Sequence, residues 1–199
     1  MTASANNSDT ALAALDQRRS VPARQLAPPG PDEATLLRML QSAVRVPDHG
    51  KRVPFRFIRV AGESAVRLGE ALAALTLARD PDAPPAALDK DRQRFTHAPL
   101  VVVVVAVMDP ADAQIPEVER LLSAGSVCFA LLQAAQALGF GACWLTGWPA
   151  HDTQAQRLMG LAEHEQVAGF IHIGTPLQDA PERNRPDPRS LLQDLVLGE

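Results

Sequence analysis

The order of the predicted elements indicates an α+β or α/β fold in which a mixed β-sheet is wrapped by helices. Helical patterns come first, and strands separated by helices follow, which is an order typical of layered sheets and helices. Segment Pro99–Met108 is almost uniformly apolar and rich in valine, as in a central strand covered on both faces. Segment Pro116–Leu138 is apolar nearly all round, which predicts a long buried helix. A covered strand and a buried helix together imply a substantial core.

The N-terminal part of the chain predicts two helices joined by a proline-rich loop. Ser8 or Asp9 can cap a first helix that runs to about Arg18. Prolines interrupt regular structure in segment 21–31. Helical spacing then returns, up to Pro47, at Leu36, Leu37, Leu40, Ala43 and Val44.

The rest of the chain alternates strands and helices. The predicted strands, besides the central one, are Phe55–Val60, Gly141–Thr146 and Val167–Ile173. The predicted helices, besides the long one, are Glu63–Ala78, Ala86–Thr96 and Thr153–Met159. The last twenty or so residues are rich in proline and arginine and are predicted to be extended, so they need another surface, which a second subunit could supply.

Length and composition favour one domain that handles small molecules. With 199 residues, 46% of them hydrophobic, we expect a flexible tail over residues 1–8 and a single domain over residues 9–199. A net charge of −4 argues against nucleic acid as a partner. No apolar run is long enough for a membrane span and the N-terminus lacks the pattern of a secretory signal, so a cytoplasmic location is expected. Cys128 and Cys143 lie in apolar stretches, as core residues do.

Arg18, Arg19 and Ser20 form the first candidate binding site, at the predicted end of the first helix. Two guanidinium groups and a hydroxyl suit one anionic group such as a phosphate. The structural alternative is that cations in the last turn of a helix complement its dipole and bond the final carbonyls. Spacing alone favours this alternative.

The second candidate is a polar loop over residues 45–57, here called the basic loop. It contains Arg45, His49 and Lys51 and is bracketed by Pro47 and Pro54. Loops held rigid in this way often carry binding groups, although a basic stretch is more often simply solvated.

The third candidate is the segment Gly139–Trp148, which begins like a dinucleotide fingerprint. It lacks the third glycine, and its glycines follow a helix and open a strand, which is the reverse of the Rossmann arrangement. The backbone around Thr146 and Gly147 could still approach a ligand closely, and the alternative is an ordinary turn at the end of a strand.

These three segments in this order, followed by Gly174-Thr175-Pro176, resemble the nitroreductase family, most closely a subgroup of small proteins with an R-x-P-D-H loop. The resemblance runs from Asp16 to about Pro188. It implies an α+β fold of three layers, α/β/α, with a mainly antiparallel sheet and a C-terminal tail that extends onto a partner subunit. It also implies a homodimer that binds two FMN molecules at the subunit interface.

The resemblance further implies which residues hold FMN. Arg18 and Ser20 would bind the phosphate, Arg19 would lie near the ribityl chain or ring, and Arg185 would be a second phosphate contact. Arg45 and His49 would come from the partner subunit. The ring would be lined by Trp144, Leu145 and Thr146, and the amides of Thr146 and Gly147 would face N5, the atom that accepts hydride.

Two positions depart from the pattern of many family members, which have a small polar residue where Lys51 stands and a glutamine where Val53 stands. A lysine ammonium near the pyrimidine edge would stabilise negative charge on the reduced flavin and favour its reduction. This is a hypothesis about Lys51.

The activity implied by the resemblance is hydride transfer from NAD(P)H through FMN to a nitroaromatic, a quinone or a related acceptor in a two-step exchange. FMN supplies the chemistry, so the resemblance assigns no catalytic residue and no metal ligand, although His49 could pass a proton. Two alternatives remain open at the level of sequence: a flavin carrier or sensor without turnover, and a helical interaction domain with solvated arginines. NADH and NADPH are not distinguished.

Overall fold

The structure, a computed structural model, describes residues 3–198. Its helices are α1 Ala3–Asp16, α2 Glu33–Ala43, α3 Glu63–Arg79, α4 Pro85–Gln93, α5 Glu117–Ala137, α6 Trp148–His151 and α7 Thr153–Leu158. Its strands are β1 Leu26–Ala27, β2 Phe55–Val60, β3 Leu100–Val107, β4 Gly141–Leu145 and β5 Glu165–Pro176.

The strands form one five-stranded sheet with β3 and β5 at its centre. β3 pairs with β2 on one side and β5 on the other, and β5 also pairs with β4 and β1. Each of these pairings is antiparallel. The predictions of a mainly antiparallel sheet and of a central strand near Pro99–Met108 are therefore confirmed.

Alternating valines of β3 build a core on each face of the sheet. Val102 and Val104 pack with α2 and α5 on one face. Val101, Val103 and Val105 pack on the other face with side chains of α3, α6 and α7. Successive side chains of a strand point to opposite faces, so a strand with helices on both sides must be apolar throughout. The α+β class and the α/β/α layering are confirmed.

Helix α5 differs from the prediction, because it is not buried all round. Its inner face packs on β3, β4 and β5. Its outer face leaves an apolar stripe exposed, with relative exposures of 59% at Val118, 38% at Leu121, 64% at Leu122 and 43% at Phe129. By length and composition it is also the one helix in the described part of the chain that could cross a membrane. Its packing against the sheet is that of a core helix whose outer stripe lacks a cover within one chain.

Several boundaries differ from the predicted ones for reasons of tertiary pairing. α1 begins at Ala3, so the predicted tail over residues 1–8 lies largely in a helix, while residues 1 and 2 lie outside the described residues. β5 is longer than predicted because its end pairs with β1, with Leu26 opposite Pro176. Strand β1 and helix α6 were not predicted, because elements of two and four residues are too short to show periodicity.

The C-terminal tail after Pro176 contains no helix or strand up to Gly198, apart from a 3₁₀ turn at Pro188–Ser190. Five apolar side chains near its end are 69% to 86% exposed, namely Leu191, Leu192, Leu195, Val196 and Leu197. The expectation that the tail extends onto a partner, and the expectation of one domain over residues 9–199, stay predictions.

Both cysteines are free and buried, as expected of core residues. Burial raises the pKa of Cys128 to about 12 and that of Cys143 to about 11. Thiols with such pKa values are inert near neutral pH, so neither cysteine is a nucleophile.

A half-buried ion pair between β2 and the start of β5 gives a testable pH dependence. Glu165 accepts two hydrogen bonds of 2.6 Å from Arg56, which hold the Glu165 pKa at about 2, below its usual 4.5. Because this pKa is depressed in the folded state, the stabilisation is fully present above pH 4.5 and is lost as the pH falls towards 2. At pH 7, Glu165→Gln should lower the unfolding free energy by about 1 to 3 kcal/mol. In urea unfolding, that difference from the wild type should shrink over this pH range, and a difference independent of pH would contradict the assignment.

Candidate functional site

Residues 18–20 follow α1 and are fixed between α5 and β4. The backbone N–H of Arg19 donates to Gln136 Oε1 at 3.1 Å, near the end of α5. The next N–H, that of Val21, donates to the carbonyl of Ala142 in β4 at 3.0 Å. Arg18, Arg19 and Ser20 are all half-buried. The triplet therefore lies at the start of β4 and is held there by long-range bonds.

The two arginines of this triplet play different parts. Arg19 Nη1 donates to the carbonyl of Asp16 at 2.6 Å and to that of Arg18 at 3.2 Å, and its guanidinium also pairs with Glu182. Arg19 thus satisfies the carbonyl of the last residue of α1, as the structural alternative requires. Arg18 Nη1 instead donates to Ser20 Oγ at 3.2 Å, and the guanidinium forms no ion pair with any described residue. Arg18 and Ser20 remain available to an anion.

The C-terminal tail adds further positive charge at this point. Burial lowers the pKa of Arg18, and the nearby charges of Arg185, Arg19 and Arg183 lower it further. Only one carboxylate, that of Glu182, pairs with this group among the described residues, since it contacts both Arg19 and Arg185 Nη2, the latter at 3.2 Å. We call Arg18, Arg19, Arg183 and Arg185 the basic cluster. Mutual repulsion among like charges that lack enough partners makes this a favourable place for an anion.

Strand β4 leads away from the basic cluster along an edge of the sheet. Trp144 and Leu145 are 39% and 44% exposed, whereas the three preceding residues of β4 are buried. The Trp144 indole donates its Nε1 proton to the carbonyl of Ala168 at 3.2 Å. The indole also lies directly on Gly169, where a Cβ would overlap it. Gly169 thus provides the bare backbone on which Trp144 rests.

The turn after β4 has a backbone conformation that requires glycine. Gly147 has φ 93° and ψ −174°, a region essentially closed to other residues. Thr146 and Gly147 are both exposed, so their backbone is open to a ligand. Gly147 adjoins Arg94, because a Cβ added here would lie 3.0 Å from Arg94 Nη1.

The basic loop is fastened to the beginning of α5. The Ser123 hydroxyl donates to the carbonyl of Pro47. His49 Nδ1 lies 2.6 Å from Glu119 Oε2, so the imidazole donates its Nδ1 proton to the carboxylate, and no described residue hydrogen-bonds its Nε2. Arg45 and Lys51 are exposed.

Within the basic loop, the backbone is strained next to these exposed side chains. Lys51 and Val53 have positive φ values of 54° and 49°, which are unfavourable for residues with a side chain and most of all for a β-branched valine. The Asp48 carboxylate supports this geometry by accepting from the N–H groups of Arg52 at 3.1 Å and Val53 at 2.8 Å. Strain that the surroundings maintain often marks a binding segment.

The structure brings some predicted site residues together and separates others. Arg18, Arg19, Ser20 and Arg185 meet at the start of β4, and Trp144 to Gly147 continue from there. The basic loop lies elsewhere, because it contacts Glu119, whereas the triplet contacts Gln136. These two anchors are about 25 Å apart along α5 at 1.5 Å per residue. Within one chain, the basic cluster and the basic loop are therefore held towards opposite ends of α5.

Sequence reasoning missed three residues of this region. Arg183 and Glu182 stand beside Arg185 in the sequence, so the local charge pattern could have revealed them. Gly169 gave no such signal, because only the folded structure shows that it carries Trp144.

Comparisons with known proteins identify relatives along most of the chain. A family model described as "Nitroreductase family" matches residues 15–175. A "Putative NAD(P)H nitroreductase" of Haemophilus influenzae is 35% identical over 175 residues, which is 88% of this chain and 93% of the relative. The "Putative NAD(P)H nitroreductase YdjA" of Escherichia coli K12 is 34% identical over 179 residues, covering 89% of this chain and 95% of the relative.

The fold also matches solved structures. The crystal structure of a "putative nitroreductase in complex with FMN" from Desulfovibrio desulfuricans superposes with a TM-score of 0.71 at 22% identity, covering 93% of this chain and 96% of that one. At this identity the likeness concerns the fold.

Proposed function

Because the chain belongs to the nitroreductase family, we propose that it is an FMN-dependent NAD(P)H oxidoreductase. The observation that carries this proposal is the basic cluster, where the half-buried Arg18 lies against Ser20 and has no carboxylate partner in the described part of the chain. A terminal phosphate dianion supplies the charge and the acceptor oxygens that this cluster lacks. The named relatives are NAD(P)H nitroreductases by their descriptions, which agrees with a flavin phosphate as the anion.

In this proposal the chain holds FMN along β4. Arg18 and Ser20 bind the phosphate, Arg185 adds a second phosphate contact, and Arg19 lies nearer the ribityl chain. Residues 142 to 146 rise by about 13 Å at 3.3 Å per residue, which leaves room for a ribityl chain between phosphate and ring. Trp144, Leu145 and Thr146 would then line the ring, and the amides of Thr146 and Gly147 would face N5.

The second half of the site comes from another copy of the chain. The anchors of the basic loop and of the basic cluster are about 25 Å apart along α5, and in this proposal Arg45, His49 and Lys51 contact the flavin of the partner. The exposed stripe of Val118, Leu121, Leu122 and Phe129 on α5 is the surface on which two copies meet. Gly125 and Ser126 lie between its two ends, and such small residues let two helices approach closely.

FMN, when bound, would supply hydride transfer from NAD(P)H to a nitroaromatic, a quinone or a related acceptor, with the two substrates using the site in turn. The protein contributes binding and orientation. The phosphate contacts fix the flavin, Trp144 limits its movement, and the free Nε2 of His49 is placed to exchange a proton. In this proposal the enzyme is cytoplasmic. Helix α5 packs on the core with its inner face and forms the interface with its outer face.

The test is direct. Purified protein incubated with FMN and then desalted should stay yellow, and NADH or NADPH should bleach it without oxygen. Colourless protein would refute flavin binding. A yellow protein that neither nucleotide bleaches would be a flavin carrier or sensor. A screen of acceptors against the reduced protein would then identify the substrate class.

Lys51→Met tests the proposed role of the ammonium group at the pyrimidine edge. Loss of this cation should lower the midpoint potential of bound FMN by about 30 mV, which is about 1.4 kcal/mol for two electrons, because negative charge on the reduced ring loses a partner. The measurement is a spectroelectrochemical titration. Lys90→Met, which replaces the other lysine of the chain on α4, is the matched control. A potential unchanged by Lys51→Met would rule out this role.

A further inference from the structure

A buried ion pair lies directly behind the turn after β4. Asp91 is 3% exposed, and Arg94 Nη2 donates to its Oδ1 at 2.9 Å. Both residues stand at the end of α4, three positions apart, where a sequence pattern would suggest an ordinary surface pair. Burial makes this pair different, because a buried charge must be compensated by specific partners.

Asp91 joins three helices through its carboxylate. Besides the bond from Arg94, it accepts from Thr76 Oγ1 of α3 at 2.6 Å and from Trp148 Nε1 of α6 at 2.9 Å. Burial alone would raise the pKa of Asp91, but these hydrogen bonds outweigh it and hold the pKa below its ordinary value. Asp91 is therefore ionised near neutral pH and fixes both Arg94 and Trp148.

Arg94 and Trp148 adjoin Gly147 from two sides. Trp148 is its neighbour in the chain, and Arg94 Nη1 would lie 3.0 Å from a Cβ at Gly147. Arg94 Nε is buried without a hydrogen-bond partner among the described residues. An unpaired buried N–H costs about 1 to 3 kcal/mol, so the bond to Asp91 does not satisfy every donor of this guanidinium. The Arg94 guanidinium lies next to the Gly147 backbone.

We propose that Asp91 and Arg94 are positioning residues that set the conformation of Gly147 and thereby the direction of the Thr146 and Gly147 amides. Asp91 holds Arg94 and Trp148, and these two fix the glycine-only backbone conformation at Gly147 from inside the protein. The inference rests on the proposed function, in which these amides face N5 of the flavin. It extends the site from the residues that line the cofactor to a buried pair that does not touch it.

Arg94→Met tests the inference, because methionine keeps an unbranched side chain and removes the charge and the donors. In protein without FMN, the ¹H–¹⁵N resonances of Thr146 and Gly147 should move. In protein with FMN, the anaerobic rate of flavin reduction by NADH should fall about 10- to 100-fold, as expected for misplacement at a reacting centre. The dissociation constant for FMN should change less than about threefold, because the phosphate contacts lie at the other end of β4.

Arg94→Lys should restore part of the rate, and Asp91→Asn should reproduce part of the loss. These two variants also give both readouts if Arg94→Met does not fold. Arg92→Met is the matched control, because Arg92 also stands on α4 but its side chain is 41% exposed and pairs with Glu70 and Asp89. It should leave the Gly147 resonance and the rate unchanged.

The outcomes separate the two claims. If the wild type binds FMN and Arg94→Met changes neither the amide resonances nor the reduction rate, the inference is overturned and the proposed function stands. If the wild type fails to bind FMN, the proposed function is overturned together with the flavin-facing role of Gly147.

Discussion

Arg18→Ala is expected to weaken FMN binding by about 100-fold, because each charge-assisted hydrogen bond to a phosphate contributes about 1.5 to 3 kcal/mol and a guanidinium can make two of them. The substitution should leave the fold intact, since Arg18 is half-buried and its side chain hydrogen-bonds only Ser20 among the described residues. Fluorescence titration of free FMN, whose emission is quenched on binding, measures the effect. Added salt should reduce the difference between the two proteins, because salt screens exposed charges.

Two comparison variants sharpen this prediction. Arg18→Lys keeps the charge but loses the planar pair of donors, so its affinity should lie between those of the wild type and Arg18→Ala. Arg67→Ala removes an exposed arginine of α3, far from the basic cluster, and should bind FMN like the wild type. If Arg18→Ala also bound FMN with unchanged affinity, the basic cluster would not be the phosphate site.

Leu122→Asp should prevent the proposed dimer from forming and abolish stable FMN binding. Leu122 is 64% exposed in the single chain, so the substitution costs little within the monomer. At a helix–helix interface, however, it buries a carboxylate without a partner, at a cost of several kcal/mol per chain. Size-exclusion chromatography with light scattering should show the change in mass, and the separated protein should be colourless.

The control for this substitution is Leu77→Asp on α3, which lies on the opposite face of the sheet and is 45% exposed. It should remain a yellow dimer. Arg18→Ala adds a second comparison, since it should lose FMN and still be a dimer. A Leu122→Asp protein that stays dimeric, or a monomer that retains FMN, would contradict the shared site.

The sequence predicted those parts of the fold in which local pattern and burial agree. Strand β2 has the predicted bounds Phe55–Val60, and the valine-rich β3 has the predicted central place. The exposed stripe of α5 could not be predicted, because an apolar side chain has the same signature whether a sheet or another subunit covers it. Burial in a single chain and burial between chains are driven by the same hydrophobic effect.

The candidate site was predictable in its residue types but not in its geometry. Arg18 and Arg19 are equivalent in sequence, and only the folded chain shows that Arg19 bonds the last carbonyl of α1 while Arg18 does not. The positive φ of Val53 contradicts the preference of a β-branched residue, so no propensity argument could foresee it. The ion pair of Asp91 and Arg94 has the spacing of a surface pair, and its burial depends on packing from α3 and α6.

Helix α5 holds the basic loop near its beginning and the basic cluster near its end. Its length therefore sets the distance between these two groups. In the proposed dimer, a two-fold axis perpendicular to α5 would make the two copies of this helix antiparallel, so each end would pair the basic cluster of one chain with the basic loop of the other. The length of α5 would then set the spacing in both binding sites of the dimer. An added residue would shift the two ends by about 1.5 Å and rotate them by about 100°, and it would spoil both sites at once. Exposed positions of α5 away from the stripe should accept many substitutions, whereas an insertion or a deletion anywhere along it should not be tolerated.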